Sequence, residues 1–566
     1  MFSHQLVSGQ EYNLILLDTS DAPEQILNPY QNYIGDSAQI QSRLNLLIGE
    51  LQNEGFIAAS IDSIIFDSLT VKAKLFTGRK YYWSDLDLSR LDSDLKETLN
   101  VKKEKIGVVS LNEWQSLISN ILSYYENSGY PFVKVNPQEF EIQDSLFYTS
   151  LIVEKGDFYS IDSIIVKGDA KISLNYLKRT LQIERGIDFN QEKINSISKK
   201  INDLRFLSEI KPPEIEFRDE TVDLYLYLQN KRANMFNGII GFLPENEETG
   251  KLLITGELNL NLVNPFGKGE EIFLNWEKQE SSTQKLDLGF MYPYLFRSNL
   301  GLDADFGLYK KDSTYLSLNA GTGLRLFLEY DEYIKAYYRY KSSSKIGEDN
   351  VTTSMNYADV TSNIFGASYY LNDLDYRYNP RKGIVLNLFG GTGIKKSTIS
   401  DHLTDSLNTD NKTLEVEAGL DFDFYFPIYN NLVFHFGNVT RYLDHFSDNN
   451  KEAVFYENEL YRFGGAKSLR GFDESIFFAS IYSLQKIEIK YLFEQNSSFY
   501  AFWNGAYYYK NVVQSTTEDF PWGFGIGLDF DTRAGIFSLS YALGKQFENP
   551  FEIQAAKIHF GYISRF

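Results

Sequence analysis

The chain has 566 residues and no cysteine, which excludes disulfide frameworks, thiolate metal sites and cysteine nucleophiles. Acidic residues outnumber basic ones by 76 to 55, and the net charge of −21 argues against a nucleic-acid partner, which requires a basic face. Hydrophobic residues make up 43% of the chain and only 13 residues are proline, so the sequence predicts a folded protein.

The sequence combines many aromatic residues with a low mean hydropathy. It has 40 Tyr and 43 Phe, yet its mean hydropathy is −0.31. The sequence has no apolar run of about 18 residues, so no membrane-spanning helix is predicted. A transmembrane β-barrel has this composition, because its strands alternate lipid-facing and lumen-facing residues between aromatic girdles. The opening residues, MFSHQLVSGQ, do not resemble a signal peptide, and we expect an export signal to have been removed.

The N-terminal half contains an internal repeat of about 75 residues, marked by an aromatic residue after a helix-like stretch. The marker occurs three times, in Asn53-Glu54-Gly55-Phe56, Asn127-Ser128-Gly129-Tyr130 and, in a looser form, Leu204-Arg205-Phe206. In the third copy an alternating segment at 159–167 precedes two stripes of helical spacing, and strands are predicted near 213–217 and 222–228. The order β-α-α-β-β predicts a small three-stranded sheet with two helices on one face.

This unit resembles a POTRA domain, the periplasmic module of the outer-membrane assembly superfamily that includes BamA, TamA and the two-partner secretion pores. The resemblance implies three such domains, at residues 8–79, 80–156 and 157–232. The alternative is three unrelated small α+β domains.

From residue 233 onward the sequence alternates with a period of two. The clearest example is 414–426, where apolar residues lie on one face and mostly polar residues on the other. A tilted strand of this length can span a bilayer. At roughly 40 residues per hairpin, residues 233–566 predict about 16 strands, closed into a barrel because lipid does not tolerate open edges. The predicted fold class is therefore α+β POTRA repeats followed by a transmembrane antiparallel β-barrel. A soluble β-sandwich also alternates, but the number and length of the strands favour the barrel.

The segment most typical of the superfamily lies in a loop around 460–476. It resembles the GG…(V/I)RG(F/Y) signature of the sixth extracellular loop, and the matching residues are Gly464, Gly465, Leu469, Arg470, Gly471 and Phe472. In relatives this loop folds into the lumen, where its arginine meets acidic groups of the barrel wall. A guanidinium inside a barrel needs a fixed carboxylate, and arginine offers a planar fork for it. The alternative is an exposed loop arginine.

The resemblance implies two partners for Arg470. Glu488 shares a strand face with Lys486 and Lys490, away from the apolar side, and matches the acidic residue usual there. Relatives often carry Asp on the following strand, but Asn504 lies at or near that position here. An amide accepts a hydrogen bond without adding a second negative charge.

Other segments support the same family. Residues 264–269 and 380–383 resemble two barrel turns, and 523–529 and 535–544 resemble its final glycine-rich strands. The resemblance implies a lateral gate, meaning a weakly paired seam between the first and last barrel strands. Its residues would be Gly238 and Gly241 on the first strand, since glycine weakens a strand, and Phe560 and Tyr562 on the last. The terminal Phe566 resembles the β-signal that assembly machinery recognises on outer-membrane barrels.

The sequence predicts no enzyme and no catalytic residue, metal or cofactor. The five histidines lack metal-ligand spacing, and residues 390–398 lack the spacing of a phosphate loop. Inward carboxylates such as Asp421 and Asp423 are explained by a polar lumen.

The function implied by the resemblance is outer-membrane protein assembly, insertion or translocation, by POTRA capture of unfolded clients and a lateral barrel gate. The expected location is the outer membrane of a Gram-negative bacterium, with the POTRA domains in the periplasm. Expected partners are the lipid bilayer, unfolded outer-membrane or secreted proteins, and periplasmic or inner-membrane accessory proteins. Two alternatives stay open: a two-partner secretion pore that exports one cognate exoprotein, and a passive porin. The sequence leaves open whether the cargo is protein or lipid.

Overall fold

A computed structural model describes residues 11–18, 22–88, 91–99, 105–244, 252–278, 283–312, 314–329, 331–346, 357–376, 379–398, 411–446, 455–512, 515–532, 535–547 and 556–564. By internal packing the chain divides into two compact units. One consists of Met1–Ser163, Arg185–Asn195 and Ile215–Asp223, and the other of Ile164–Glu184, Ser196–Glu214 and Leu224–Phe566. Of the helices in these described ranges, none has the length and apolar character needed to cross a bilayer.

The first α/β domain is a four-stranded sheet in the order β2-β1-β4-β3. Its main helix begins at a capping box, in which Asp36 and Gln39 each accept a hydrogen bond from the other's backbone N–H. The buried stripe of this helix is Ile40, Leu44, Leu47 and Leu51, at the spacing of one helical face. The elements are β1 (Tyr12–Leu17), α1 (Glu24–Leu27), β2 (Ile34–Gly35), α2 (Ser37–Asn53), β3 (Ser60–Asp67) and β4 (Thr70–Phe76).

The second α/β domain repeats this topology, with the strand order β6-β5-β8-β7. Its main helix also begins at a capping box, formed by Ser110 and Glu113. Trp83 from the sheet stacks on Trp114 from the helix, with ring centroids 4.2 Å apart. The elements are β5 (Tyr82–Asp87), α3 (Ser93–Thr98), β6 (Lys105–Ile106), α4 (Leu111–Glu126), β7 (Lys134–Gln143) and β8 (Leu146–Glu154).

The third α/β domain has the element order β-α-α-β-β that the sequence predicts. Its sheet has the strand order β10-β11-β9. The elements are β9 (Ser160–Gly168), α5 (Leu174–Leu181), α6 (Gln191–Asp203), β10 (Leu207–Arg218) and β11 (Thr221–Asn230). The domain boundaries at 79/80, 156/157 and 232/233 stay a prediction.

The repeat markers lie at the joints between consecutive domains. Tyr81 N donates to Gly55 O, and Tyr159 N donates to Gly129 O, both at 2.8 Å. Both glycines have positive φ, at 102° and 93°, and a Cβ on Gly129 would lie 2.2 Å from the ring of Phe158. The sequence repeat therefore reflects a repeated joint as well as a repeated domain.

The C-terminal part is one 17-stranded antiparallel sheet whose strands pair in chain order. Its first and last strands lie side by side, but no ladder of backbone hydrogen bonds joins them among the described residues. A separate hairpin, β23 with β24, interrupts the series. The strands are β12 (Met235–Pro244), β13 (Leu252–Val263), β14 (Glu271–Lys278), β15 (Gln284–Tyr292), β16 (Leu300–Lys311), β17 (Tyr315–Glu329), β18 (Glu332–Lys345), β19 (Asp359–Leu374), β20 (Gly383–Thr398), β21 (Asn411–Tyr429), β22 (Leu432–Phe446), β23 (Tyr461–Phe463), β24 (Phe477–Ala479), β25 (Ile481–Glu494), β26 (Ser497–Val512), β27 (Ser515–Asp519), β28 (Trp522–Asp531), β29 (Gly535–Lys545) and β30 (Lys557–Ser564).

Two of the seventeen strands share one position in the barrel. β27 and β28 both pair with β26 in a single continuous register, interrupted at Phe520-Pro521. Ala506 N bonds to Pro521 O at 2.9 Å across the interruption. Proline has no N–H to donate to a ladder, which explains the break. The sheet therefore has sixteen spanning positions, as the sequence predicts.

The two faces of the strands are as the alternation predicts. On β21, Leu414 is 47% exposed on the outer face, whereas its inward-facing neighbours Glu415 and Glu417 are buried, Glu417 to 1% exposure. Glu417 is held by Arg339 and Lys341 of β18, at 2.7 and 2.6 Å. Buried charges need such partners, so this part of the lumen is a packed polar interior.

Candidate functional site

Residues 464–472, in the described part of the loop between β22 and β25, form a compact turn. Gly464 and Gly465 adopt positive φ angles of 119° and 96°, which glycine tolerates without steric cost. Ser468 Oγ accepts a hydrogen bond from Gly464 N at 2.8 Å, and Leu469 O accepts one from Gly465 N at 3.1 Å. These bonds fix the segment that carries Arg470.

Arg470 lies against the inner wall formed by β25 and β26. Its Nη2 donates to Glu488 Oε1 at 2.5 Å, and its Nε donates to Asn504 Oδ1 at 2.9 Å. The three residues are 8%, 6% and 0% exposed. The structure thus brings together the three residues that the sequence singled out, in a geometry of buried, charge-assisted hydrogen bonds.

A ring completes the arginine site. The guanidinium carbon of Arg470 lies 3.5 Å from the ring centroid of Phe502, a cation–π contact. Phe502 pairs directly with Glu488 across the two strands. Sequence reasoning missed Phe502, because alternation along a strand does not give the register between strands.

Glu488 is the centre of a wider network. It forms an ion pair with Lys490 Nζ and a hydrogen bond with His435 Nδ1, both at 3.1 Å, while His435 Nε2 lies 2.8 Å from Asp423 Oδ1. His435 also stacks on Tyr425 with centroids 4.3 Å apart. Sequence reasoning assigned no role to His435, whose only signal is its position opposite Glu488 in the β22–β25 register.

The loop backbone also contacts the last strands directly. A Cβ on Gly471 would lie 2.8 Å from Gly544 N, and a Cβ on Gly523 would lie 2.4 Å from Arg470 O. A Cβ on Gly544 would lie 2.7 Å from Gly471 O. The glycines of the loop and of β28 and β29 therefore allow the loop backbone to pack directly against the backbone of these two strands.

Leu469 and Phe472 anchor the loop through apolar contacts. Leu469 is fully buried in a cluster with Phe463, Phe477 and Tyr482, and Phe472 packs against Phe477 with centroids 5.0 Å apart. Every residue of the predicted loop motif from Leu469 to Phe472 thus contacts the barrel wall or its hairpin.

A second set of contacts holds the first strand of the hairpin and the part of the loop just before it. Glu459 forms an ion pair with Lys395 of β20 and lies 3.4 Å from His445 Nε2 of β22. Asn458 Nδ2 donates to Ser343 Oγ of β18 at 2.9 Å, and Arg462 Nη2 donates to Tyr315 OH of β17 at 2.8 Å. The loop is therefore tied to walls on several sides of the lumen.

The residues predicted for a lateral gate lie on the first and last strands. Gly238 and Gly241 are on β12, paired with Leu258 and Thr255 of β13. Phe560 is on β30, 69% exposed and paired with Leu539, and the backbone of Tyr562 pairs with Phe537. The predicted β-signal residue Phe566 lies outside the described residues.

No cluster of three or more His, Asp or Glu side chains in the described ranges is arranged to hold a metal ion.

Comparison with known proteins places the chain in a family. Residues 264–566 match the Omp85 superfamily domain, and because this match covers more than half of the sequence, the chain belongs to the Omp85 superfamily. The predicted recognition is thereby confirmed. Members of this superfamily are transporters and assembly factors of the outer membrane.

Solved structures with the same fold include two named CdiB. The one from Escherichia coli is 15% identical, with a TM-score of 0.52 over 94% of this chain and 98% of that chain. The one from Acinetobacter baumannii is 15% identical, with a TM-score of 0.52 over 96% and 98%. BamA from Haemophilus ducreyi lacking POTRA domains 1–3 is 16% identical, with a TM-score of 0.46 over 86% and 100%. At these identities the likeness concerns the fold alone. No curated protein sequence matches the chain.

Proposed function

We propose that this protein is an outer-membrane assembly or translocation factor that receives unfolded proteins and either inserts them into the outer membrane or translocates them across it. Omp85 proteins handle protein clients in the outer membrane. The observation that carries the proposal is the occupied lumen: a folded loop is tied to the barrel wall through Arg470, Glu488 and Asn504. The porin alternative leaves this loop and the α/β domains unexplained.

In this proposal the Arg470 site is a loop lock that holds the inner wall of β25 and β26 in a fixed position. A buried arginine with one carboxylate and one amide acceptor is stable only while both remain in place. The lock thereby stabilises the strands that lead to the seam between β12 and β30.

The α/β domains supply edges for extended clients. β7 is an edge strand of ten residues, and Phe140 and Ile142 on it are exposed. A client strand adds to such an edge through main-chain hydrogen bonds. The exposed apolar side chains of the edge strand can then contact every second side chain of the client. The seam between β12 and β30 offers the same chemistry within the membrane, and Gly238 and Gly241 weaken its first strand.

Client folding in liposomes tests the proposal. The protein is reconstituted, a urea-unfolded small β-barrel is added, and its heat-resistant folded band is followed over time. We expect faster folding than in empty liposomes, and loss of the acceleration in Arg470→Ala. The matched control is Lys467→Ala, because Lys467 is an exposed cation of the same loop.

An absence of acceleration across several unrelated clients would contradict the insertase proposal and favour dedicated secretion of one cognate exoprotein. Equal acceleration by the wild type and Arg470→Ala would leave insertion standing and refute the role of the lock.

A further inference from the structure

A cavity of about 250 Å³ lies at the end of the lumen where the third α/β domain meets the barrel. Its barrel side includes Tyr333 of β18 and Tyr370 of β19, which pair directly in register. Tyr333 points into the lumen, because the adjacent Ile334 is exposed on the outer face. Its other side includes Tyr176 of α5 and Arg205, which follows α6.

Aromatic rings form two walls of this cavity. Tyr333 and Tyr370 stack with centroids 5.0 Å apart, and Tyr176 and Tyr294 pack edge to face at 5.6 Å. Walls of this kind favour a further ring, because aromatic side chains gain from offset-stacked and edge-to-face contacts beyond the area that they bury.

Five charged side chains also line the cavity, Asp203, Arg205, Glu271, Arg325 and Asp331, and two of them bear on the ligand. Arg205 Nε is buried and has no hydrogen-bond partner in the described part of the chain, although buried donors are rarely left unpaired. Glu271, at the start of β14, contributes a carboxylate acceptor to the same lining. A ligand that fits both must accept one hydrogen bond and donate another.

We propose that this cavity binds one tyrosine side chain of an extended client polypeptide as the client passes from the α/β domains to the barrel. The proposal rests on the proposed function and names a chemical feature of the substrate. At about 250 Å³ the cavity has room for one aromatic side chain. A phenol ring stacks on the aromatic walls, while its hydroxyl accepts from Arg205 Nε and donates to Glu271.

Peptide binding to the full chain in detergent micelles tests the proposal. The probes are fluorescently labelled pentapeptides of sequence Gly-Gly-X-Gly-Gly with Tyr, Phe or Leu at X, and binding is followed by fluorescence polarisation. We expect the Tyr peptide to bind roughly tenfold more tightly than the Phe peptide, because phenylalanine leaves the polar groups unpaired. The Leu peptide should bind more weakly than either. Equal affinity for Tyr and Phe would overturn the proposal.

Substitutions of Arg205 and Glu271 test whether these two side chains recognise the tyrosine hydroxyl. Arg205→Met and Glu271→Leu should lower the affinity for the Tyr peptide to that for the Phe peptide and leave Phe binding unchanged. Lys199→Met is the control, because Lys199 is an exposed cation on α6. Retention of the Tyr preference in both cavity variants would overturn the proposal.

Photocrosslinking on the unmodified protein covers the case in which a variant fails to fold. A peptide with benzoylphenylalanine beside the tyrosine should crosslink to residues of the cavity, identified by mass spectrometry, and crosslinks found only elsewhere would overturn the proposal. Peptide binding requires no membrane insertion. If the protein binds the Tyr peptide but does not accelerate client folding, the proposed function is refuted and the tyrosine site stands. If it accelerates client folding but shows no preference for tyrosine, the tyrosine site is refuted and the proposed function stands.

Discussion

Arg470 is a charge removed from water, so its stability depends on the groups within hydrogen-bond distance. Glu488 supplies the only carboxylate that it contacts among the described residues, Asn504 supplies a neutral oxygen, and Phe502 supplies the face of a ring. Removal of one partner of a buried ion pair costs about 3–5 kcal/mol, because the remaining charge is left uncompensated. The site therefore tolerates little change in the position of β25 relative to β26.

Asn504→Asp should stabilise the loop. Asn504 Nδ2 is buried without a hydrogen-bond partner in the described segments, and the substitution replaces it with an oxygen. The change also gives the bond from Arg470 Nε a charged acceptor in addition to its charged donor. We expect a gain of about 1 kcal/mol at neutral pH, measured as a higher temperature for loss of the folded band on gels. Asn504→Leu should have the opposite effect, and a lower melting temperature for Asn504→Asp would contradict the prediction.

The lowered pKa of Asp92, in the second α/β domain, leads us to expect that the protein loses stability in acid. The hydrogen bond from Lys155 Nζ, at 2.5 Å, and a further bond from Tyr125 OH lower the pKa of Asp92 from 3.8. A lowered pKa contributes stability that is present above the unfolded-state pKa and is lost as pH falls through the folded-state pKa.

We expect this contribution to be constant from pH 7 to about pH 5, to decrease below about pH 4 and to be lost once the pH has fallen through the lowered folded-state pKa. It amounts to about 0.5 kcal/mol, because both side chains are partly exposed and solvent screens the pair. Asp92→Asn should remove this part of the pH dependence in urea titrations of the intact protein, with the stacked Trp83 and Trp114 as the fluorescent reporter. If Asp92→Asn loses stability at acidic pH as the wild type does, other groups cause the loss.

The sequence identified Arg470, Glu488 and Asn504 because they match a motif or a strand face. It did not identify His435 or Phe502, because their contacts follow from the register between strands. A hydrophobic pattern gives the face of each residue, whereas a shift in pairing changes every neighbour across the strands.

At the scale of secondary-structure elements, the loop contacts β28 and β29 through glycine. A Cβ on Gly523 would lie 2.4 Å from Arg470 O and 2.8 Å from Leu543 O, and neither main-chain atom can move freely. The absence of side chains here brings the loop within reach of both Glu488 and Asn504.

Gly523→Ala should therefore displace the loop. We expect a destabilisation of about 1–3 kcal/mol, as for other overpacked interiors, and a larger single-channel conductance in planar bilayers. Gly390→Ala is the matched control, because the nearest atom to a Cβ on this barrel glycine is 3.9 Å away. Equal conductance in the two variants would show that the loop does not depend on this contact.

The elements were predictable to different degrees. Long alternating segments such as β21 and the helices of the third α/β domain followed from periodicity alone. The two-residue strands β2 and β6 did not, because so short a strand has no pattern of its own. The division into β27 and β28 has one signal in the sequence, Pro521, which cannot donate to a ladder.

At the scale of the whole molecule, the barrel sheet of the described residues is continuous except between β12 and β30. Unpaired backbone groups are costly in lipid, so such a seam is the part of the barrel that another strand can complete at the smallest cost. The gate in the proposed function rests on this difference between the seam and the other strand pairs.

A disulfide across the seam should abolish client folding in liposomes, and reduction should restore it. Cysteine pairs can be stepped along Met235–Pro244 and Lys557–Ser564 without background, because the chain has no native cysteine. The control is a disulfide at Thr392 and Val416, which pair within the continuous β20–β21 ladder. Full activity of the oxidised seam variants would refute a lateral gate.

The joints have a consequence for the history of the chain. The bonds from Tyr81 to Gly55 and from Tyr159 to Gly129 join one repeat to the next with the same two backbone atoms, and at the third marker Lys231 N donates to Phe206 O, one position further along the repeat, at 2.9 Å. Each repeat therefore contributes one partner of such a bond at each of its ends, so repeats that become neighbours after a duplication or deletion can still form the bond. The number of repeats can therefore change by recombination without new surfaces having to evolve, and a shortened variant that lacks one whole repeat should still join correctly.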